Sequence, residues 1–129
     1  MQRLGYLASP YSHSDPEIRE QRFRAIAYIA AQLMASGKYI FSPIAMCHPM
    51  AVSQQSLPGD YKFWSSFDEN LIIRCDYFII VPLDGWKTSK GIREEIHVAR
   101  AHAKDVFLLV LTSDLRVIGL QPYKGELDG

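Results

Sequence analysis

Residues Tyr77–Leu111 read YFIIVPLDGWKTSKGIREEIHVARAHAKDVFLLVL. Two wholly apolar runs, Tyr77–Val81 and Val106–Leu111, bracket a segment in which Ile92, Ile96, Ala99 and Ala103 recur at helical spacing. An apolar run without alternation is what a parallel strand needs when helices cover both of its faces. The stretch therefore reads as strand, loop (Pro82–Lys90), helix (Gly91–Ala103) and strand, a crossover unit of right-handed sense.

The same alternation extends toward the amino terminus. Leu4–Ala8 is a short apolar strand. Ser14 with Glu17 forms a capping-box pattern, and Asp15-Pro16 offers an N-cap with proline at the first helical position. Ile18, Phe23, Ile26, Ile29, Ala30 and Leu33 give the following helix its apolar face, and Gly37 is placed to end it. Tyr39–Phe41 is a second short strand, stopped by Ser42-Pro43. Ala45–Gly59 has no good period and reads as a loop with at most a helical turn, long enough for a lid or rim. Asp60–Arg74 reads as a helix with Trp64, Phe67, Leu71 and Cys75 on one face. Val117–Ile118 is a short edge strand, and residues 125–129 form a mobile tail. The expected architecture is a small doubly wound, flavodoxin- or Rossmann-like α/β fold. Its parallel sheet has four to five strands, with helices on both faces. Ligands of such sheets bind beyond the carboxyl ends of the strands, so the loops Ser9–Ser14, Ser42–Gly59 and Leu83–Lys90 should hold the chemistry.

Composition sets the outer limits. At 129 residues the chain is expected to form one domain, residues 1–129, able to fold without a disulfide or metal. Fourteen basic and 14 acidic residues leave no net charge. This argues against a binder of nucleic acid polymers and puts no repulsion between copies. No signal peptide or membrane span is visible, and Cys47 and Cys75 read as reduced, buried thiols, so a cytoplasmic location is expected. No metal-ligand spacing, GxGxxG or P-loop pattern occurs, so no metal, dinucleotide or other cofactor is expected.

Two carboxylates stand out. Asp68 lies four residues after Trp64 and three before Leu71, in the middle of an apolar stripe, where it either faces a cleft or has a buried partner. Glu95 falls at the edge of the buried face of the Gly91–Ala103 helix, in its first turn, whereas Glu94 points to solvent. The Ser9–Ser14 loop, SPYSHS, opens a helix N-terminus. It reads either as a phosphate or sugar-hydroxyl subsite or as ordinary capping. His48 reads as a general acid, a base-contacting residue or an ordinary loop histidine; His13, His97 and His102 read as surface residues.

Together these residues make a pattern. Tyr6-Leu7-Ala8-Ser9-Pro10-Tyr11 ends the first strand, Asp68 stands eight residues before Asp76, and Gly85-Trp86-Lys87-Thr88-Ser89-Lys90-Gly91 leads to Glu95 and Ala99. Over about Leu4 to Leu111 the chain resembles the nucleoside 2-deoxyribosyltransferase superfamily. That superfamily includes nucleoside 5′-monophosphate N-glycosidases and small uncharacterised relatives. The resemblance implies cleavage or transfer at the N-glycosidic bond of a nucleoside or nucleoside monophosphate. It makes Glu95 the nucleophile, Tyr6 its orienter, and Asp68, or Asn70 if the alignment slips by two, the base-side group. Ser9, Pro10, Tyr11, His48, Ser89 and Gly91 are the expected substrate neighbours. Trp86 either stacks on a base or packs its loop. The resemblance further implies a homodimer or higher homo-oligomer, although Gln121–Gly129 does not match the transferases' C-terminal residues. Two other readings compete: a nucleotide-binding sensor without turnover, and an interaction protein of the same fold with no small ligand.

Overall fold

A computed structural model describes residues 2–53 and 61–125. The elements in chain order are β1 (Leu4–Ala8), α1 (Pro16–Ala35), β2 (Tyr39–Phe41), α2 (Pro43–Ser53), α3 (Tyr61–Arg74), β3 (Tyr77–Ile80), α4 (Lys90–Ala101), β4 (Asp105–Leu111) and β5 (Val117–Pro122). A 3₁₀ turn, Trp86–Thr88, precedes α4. The sheet order is β2-β1-β3-β4-β5. The first four strands pair in parallel, and β5 runs antiparallel to β4. The chain winds outward in both directions from the β1–β3 pair, which makes the carboxyl edge there the topological switch point.

Strand periodicity divides the core in two. Tyr6, Ala8, Phe78, Ile80 and Val106 point to the face covered by α3 and α4, where they meet Ile72, Cys75, Ile92, Ile96 and Ala99. Leu7, Tyr77, Ile79, Val81 and Leu109 point to the other face and meet Ile26, Ile29, Ala30 and Leu33 of α1. Every residue of β3 is buried, which is why its sequence does not alternate. Each large side chain fully buried there contributes about 1.5–3 kcal/mol.

Local chemistry sets the helix ends. Asp15 is the N-cap of α1; its side chain accepts from the Glu17 amide at 2.9 Å, so Asp15 rather than Ser14 makes the cap. At the other end Lys38 N donates to Leu33 O and Gly37 N to Met34 O, with Gly37 at φ +96. This is the reciprocal pair of bonds that favours glycine. Gly5 is required for a different reason: a Cβ there would lie 2.7 Å from the Tyr77 ring.

Several expectations need correction. Residues 43–53 are helix α2, not loop, because Pro43 fits the first turn and the Ser42 hydroxyl accepts from the Ala45 amide. Met46, Met50 and Val52 face outward, so no apolar stripe marks that helix in the sequence. The buried side of α3 runs through Ile72 and Cys75, leaving Phe67 37% exposed. Edge strand β5 is six residues long, and Gln32 of α1 holds its start by hydrogen bonds to Leu115 O and Val117 N. Residues 54–59 of the expected rim, Asp60 at the expected helix start and the tail after Gly125 lie outside the described residues.

Helix α4 ends at Ala101, so Ala103 is not part of a buried helical face; it is exposed and left-handed at φ +57. Lys104 N donates to Ala99 O and Ala103 N to Arg100 O, the same closing pair that Gly37 makes without strain. Ala103→Gly should therefore raise stability by about 1 kcal/mol, read as a higher urea midpoint at unchanged slope.

Candidate functional site

The site begins with strand register. Tyr6 is the middle residue of β1 and pairs with Phe78 of β3. Their rings stack at 5.4 Å and 13°, and both side chains are fully buried. The phenol therefore has one fixed direction, toward the face covered by α3 and α4. There its hydroxyl donates to Glu95 Oε2.

Helix α4 brings Glu95 to that point. Ser89 is the N-cap, accepting from the Ile92 amide at 3.2 Å. Ile92, Ile96 and Ala99 seat the helix on the sheet. Glu95 lies on the edge of that face in the second turn, one turn deeper than expected from sequence. Glu94 is near the opposite side, pairing with Lys90 at 4.0 Å.

Asp68 approaches from α3. Its Oδ1 is buried and has no hydrogen-bond partner among the described residues, and the same holds for Ser9 Oγ on the loop after β1. Burial lifts the Asp68 carboxyl to about 6. Glu95 is pushed up to about 8, mainly by burial and then by the Asp68 charge, with the Tyr6 hydrogen bond acting in the opposite sense. Tyr6 is held well above the usual phenol range, first by burial and then by the Glu95 and Asp68 charges. Cys47 of α2 is raised to about 11, first by burial and then by the Asp68 charge. Such an arrangement can present one carboxylate and one carboxylic acid to a ligand at once.

The remaining expected residues divide. Ser9 and Pro10 are buried at the carboxyl edge, followed by the half-buried Tyr11. Gly91 lies in the first turn of α4, where among described residues a Cβ would meet only Ser89 Oγ at 3.8 Å. His48 is neither a surface nor a loop residue: it is buried in α2, with Nδ1 facing Tyr11 and Nε2 facing Glu20. Asn70 is not brought in; it is exposed, donates to Ser66 O and accepts from Arg74. Trp86 lies edge-on to Tyr123 at 6.0 Å, packing its loop against the chain leaving β5. Asp76 stands at the opposite edge, accepting from the Leu4 amide. The loop after β1 is fastened by Arg19 to His13 O and by Arg22 to Ser12 O, and Asp15 already takes an amide at the α1 N-terminus. These contacts fit the capping reading better than an anion subsite. Glu20 was missed because its role depends on a partner 28 residues away.

A separate hollow of about 540 Å³ lies at the amino edge, lined by residues including Arg3, Lys38, Tyr39 and Tyr77, remote from the carboxylates. Among the described residues no three or more His, Cys, Asp or Glu side chains are grouped to hold a metal, and no helix is long and apolar enough to cross a membrane.

Sheet order and site position define a doubly wound α/β protein with an acidic pair at its switch point. The chain belongs to the family described as a domain of unknown function, DUF1937, whose model matches residues 3–110. No curated protein matches its sequence significantly. Among solved structures it is similar to the CMP N-glycosidase BcmB of Clostridium botulinum, at 21% identity and a TM-score of 0.53, covering 83% of this chain and 71% of that one. That likeness supports the fold.

The raised Glu95 carboxyl has a consequence for stability. The folded state holds its proton from the usual 4.5 up to about 8, so this contribution is present at low pH and is lost as pH rises through that window. Glu95→Gln should be more stable than the parent at pH 9, by roughly 2–4 kcal/mol relative to their difference at pH 5. Denaturation curves at the two pH values check this; a constant difference would contradict the burial of that charge.

Proposed function

We propose that the chain is a nucleoside 2-deoxyribosyltransferase-like enzyme that cleaves, and in the presence of an acceptor base transfers, the glycosyl unit at the N-glycosidic bond of a nucleoside or nucleoside 5′-monophosphate. The observation that carries this reading is the Tyr6 hydroxyl on Glu95 of α4, with the neighbouring helix α3 bringing Asp68, whose buried Oδ1 has no hydrogen-bond partner among the described residues. The fold shared with a CMP N-glycosidase supports it.

Breaking this bond develops positive charge at C1′ and negative charge on the departing base. Glu95, as carboxylate, attacks C1′ and forms a glycosyl ester as the C1′–N bond breaks and its electrons leave with the base. Asp68, as acid, supplies the proton or hydrogen bond that lets the base go. Water, or a second base, then gives its proton to the Asp68 carboxylate as it displaces Glu95 from C1′, so that the Glu95 carboxylate and the Asp68 acid are both regenerated. Tyr6 orients Glu95 through its hydrogen bond and stabilises the anion before attack. Ser9 Oγ offers a sugar contact, and the open space at Gly91 lets a substrate approach the α4 backbone. The working form of the pair carries one proton. The mechanism needs that proton on Asp68 with Glu95 ionised. In the free protein, with Asp68 at about 6 and Glu95 at about 8, the proton rests mainly on Glu95, so the competent arrangement is the minor one of the coupled pair. A second proton below about 6, or loss of the shared one above about 8, removes it.

Incubation with a panel of nucleosides and 5′-monophosphates should release free base, with kcat/KM bell-shaped in pH and greatest between the two limbs. Glu95→Gln should lower kcat about 1,000-fold or more. Tyr6→Phe should lower it about 10–100-fold, the value of one charge-assisted hydrogen bond. Absence of base from every substrate, or full activity in Glu95→Gln, sinks the proposal.

The one-domain organisation, cytoplasmic location and self-association expected from the sequence belong to the same proposal. Met46, Met50, Phe63 and Phe67 expose apolar surface on α2 and α3. Light scattering should give a mass at least twice 14.7 kDa, and Phe67→Glu should reduce it; a monomer at high concentration removes this part.

A further inference from the structure

A second hydrogen-bonded chain, apart from the carboxylate pair, ends on the loop after β1 at the carboxyl edge of the sheet. Tyr11 Oη lies 2.5 Å from His48 Nδ1, and His48 Nε2 lies 2.6 Å from Glu20 Oε2. The three residues come from three places: the loop after β1, helix α2 and helix α1. Phe23 of α1 stacks on the imidazole at 4.4 Å and 24°, and Tyr11 meets it edge-on, so the ring cannot turn. His48 is 8% exposed, and its two nitrogens are taken up by Tyr11 and Glu20. Glu20 is also held by Arg24 at 3.5 Å. Arg19 and Cys47 are the other charged or titratable groups that act on Tyr11.

With His48 as the neutral imidazole, donor and acceptor chemistry sets the direction of every bond. A carboxylate only accepts, so His48 Nε2 carries the proton and donates to Glu20. In a neutral imidazole the other nitrogen is an acceptor, and it takes the Tyr11 O–H. The Tyr11 oxygen is left with lone pairs and no proton to offer outward. The same ordering logic holds an imidazole between a carboxylate and a hydroxyl in catalytic triads. Here the hydroxyl at the end is a phenol, on the half-buried residue that follows Ser9 and Pro10 at the carboxyl edge of the sheet.

We propose that Glu20 and His48 are positioning residues that fix Tyr11 as a hydrogen-bond acceptor, and that Tyr11 reads one neutral donor on the substrate, either a sugar hydroxyl or the exocyclic amino group of the base. This deepens the glycosyl-transfer reading and rests on it for the identity of the ligand. A site built to pair with such a donor discriminates against the analogue lacking it, because the acceptor is then left unpaired.

The test uses the full chain and has two readouts. Nitrogen NMR of histidine-labelled protein at neutral pH should show His48 protonated at Nε2 and bare at Nδ1, with mixed tautomers in Glu20→Gln. Protonation at both nitrogens overturns the polarity. Calorimetric binding is measured in a Glu95→Gln background, so that turnover does not intervene. Cytidine is compared with uridine 5′-monophosphate and adenosine with inosine 5′-monophosphate for the amino group. Ribo- are compared with 2′- and 3′-deoxy-monophosphates for the hydroxyl. One of these preferences should be about 10–100-fold, should collapse in Tyr11→Phe and should weaken in Glu20→Gln. Preferences that survive Tyr11→Phe overturn the inference even if the wild-type protein releases base. A preference that collapses in a protein releasing no base keeps the inference and removes the N-glycosidase reading; no binding of any nucleotide removes both.

Discussion

Parallel pairing of β1 with β3 is the constraint from which the rest follows. It places Tyr6 against Phe78, stacks their rings and leaves the phenol one outlet, toward α3 and α4. A tyrosine on a loop would have many orientations; inside a central strand, packed on both sides, it has one. The same pairing buries β3 on both faces and so requires helices above and below the sheet. The topological switch point and the carboxylates then fall at the same edge without further design.

The two apolar clusters supply the stability against which the site acts. Glu95 and Asp68 are both held where their ionised forms are poorly solvated. Ser9 Oγ and Asp68 Oδ1 are buried without partners among the described residues. A core optimised for stability alone would pair or replace them. Their environment suits a ligand that brings its own hydrogen-bond donors. The Glu20–His48–Tyr11 chain contrasts with this pair: both nitrogens of its buried imidazole have partners.

Much of the fold was legible because its signals are local. Asp15-Pro16 and Gly37 bound α1 through hydrogen bonds within a few residues of themselves. The apolar runs around residues 77–81 and 106–111 announced strands that pair in parallel; β3 is buried throughout, whereas in β4 only Val106 and Leu109 are buried and β5 joins it antiparallel. Helix α2 was hidden because it shows Met46, Met50 and Val52 to the outside, so burial leaves no stripe in its sequence. The face of α3 was misread at Phe67 because a helix can roll on its sheet, and only the neighbour decides which side is covered. Strand β5 was underestimated because its pairing is held by Gln32, a residue 85 positions from Val117.

The sequence by itself determined the alternation of strands and helices, the ends of α1, and the oddity of Asp68 and Glu95 in apolar settings. These depend on spacing and on groups within one or two turns. Tertiary structure alone decided which groups meet: Tyr6 with Glu95 across 89 residues, and His48 with Tyr11 and Glu20 across 37 and 28. It also turned Asn70 outward and Asp68 inward. The physical reason is that proton affinity and hydrogen-bond direction depend on the dielectric and on the neighbours at contact distance. Those neighbours are set by how the helices pack on the sheet.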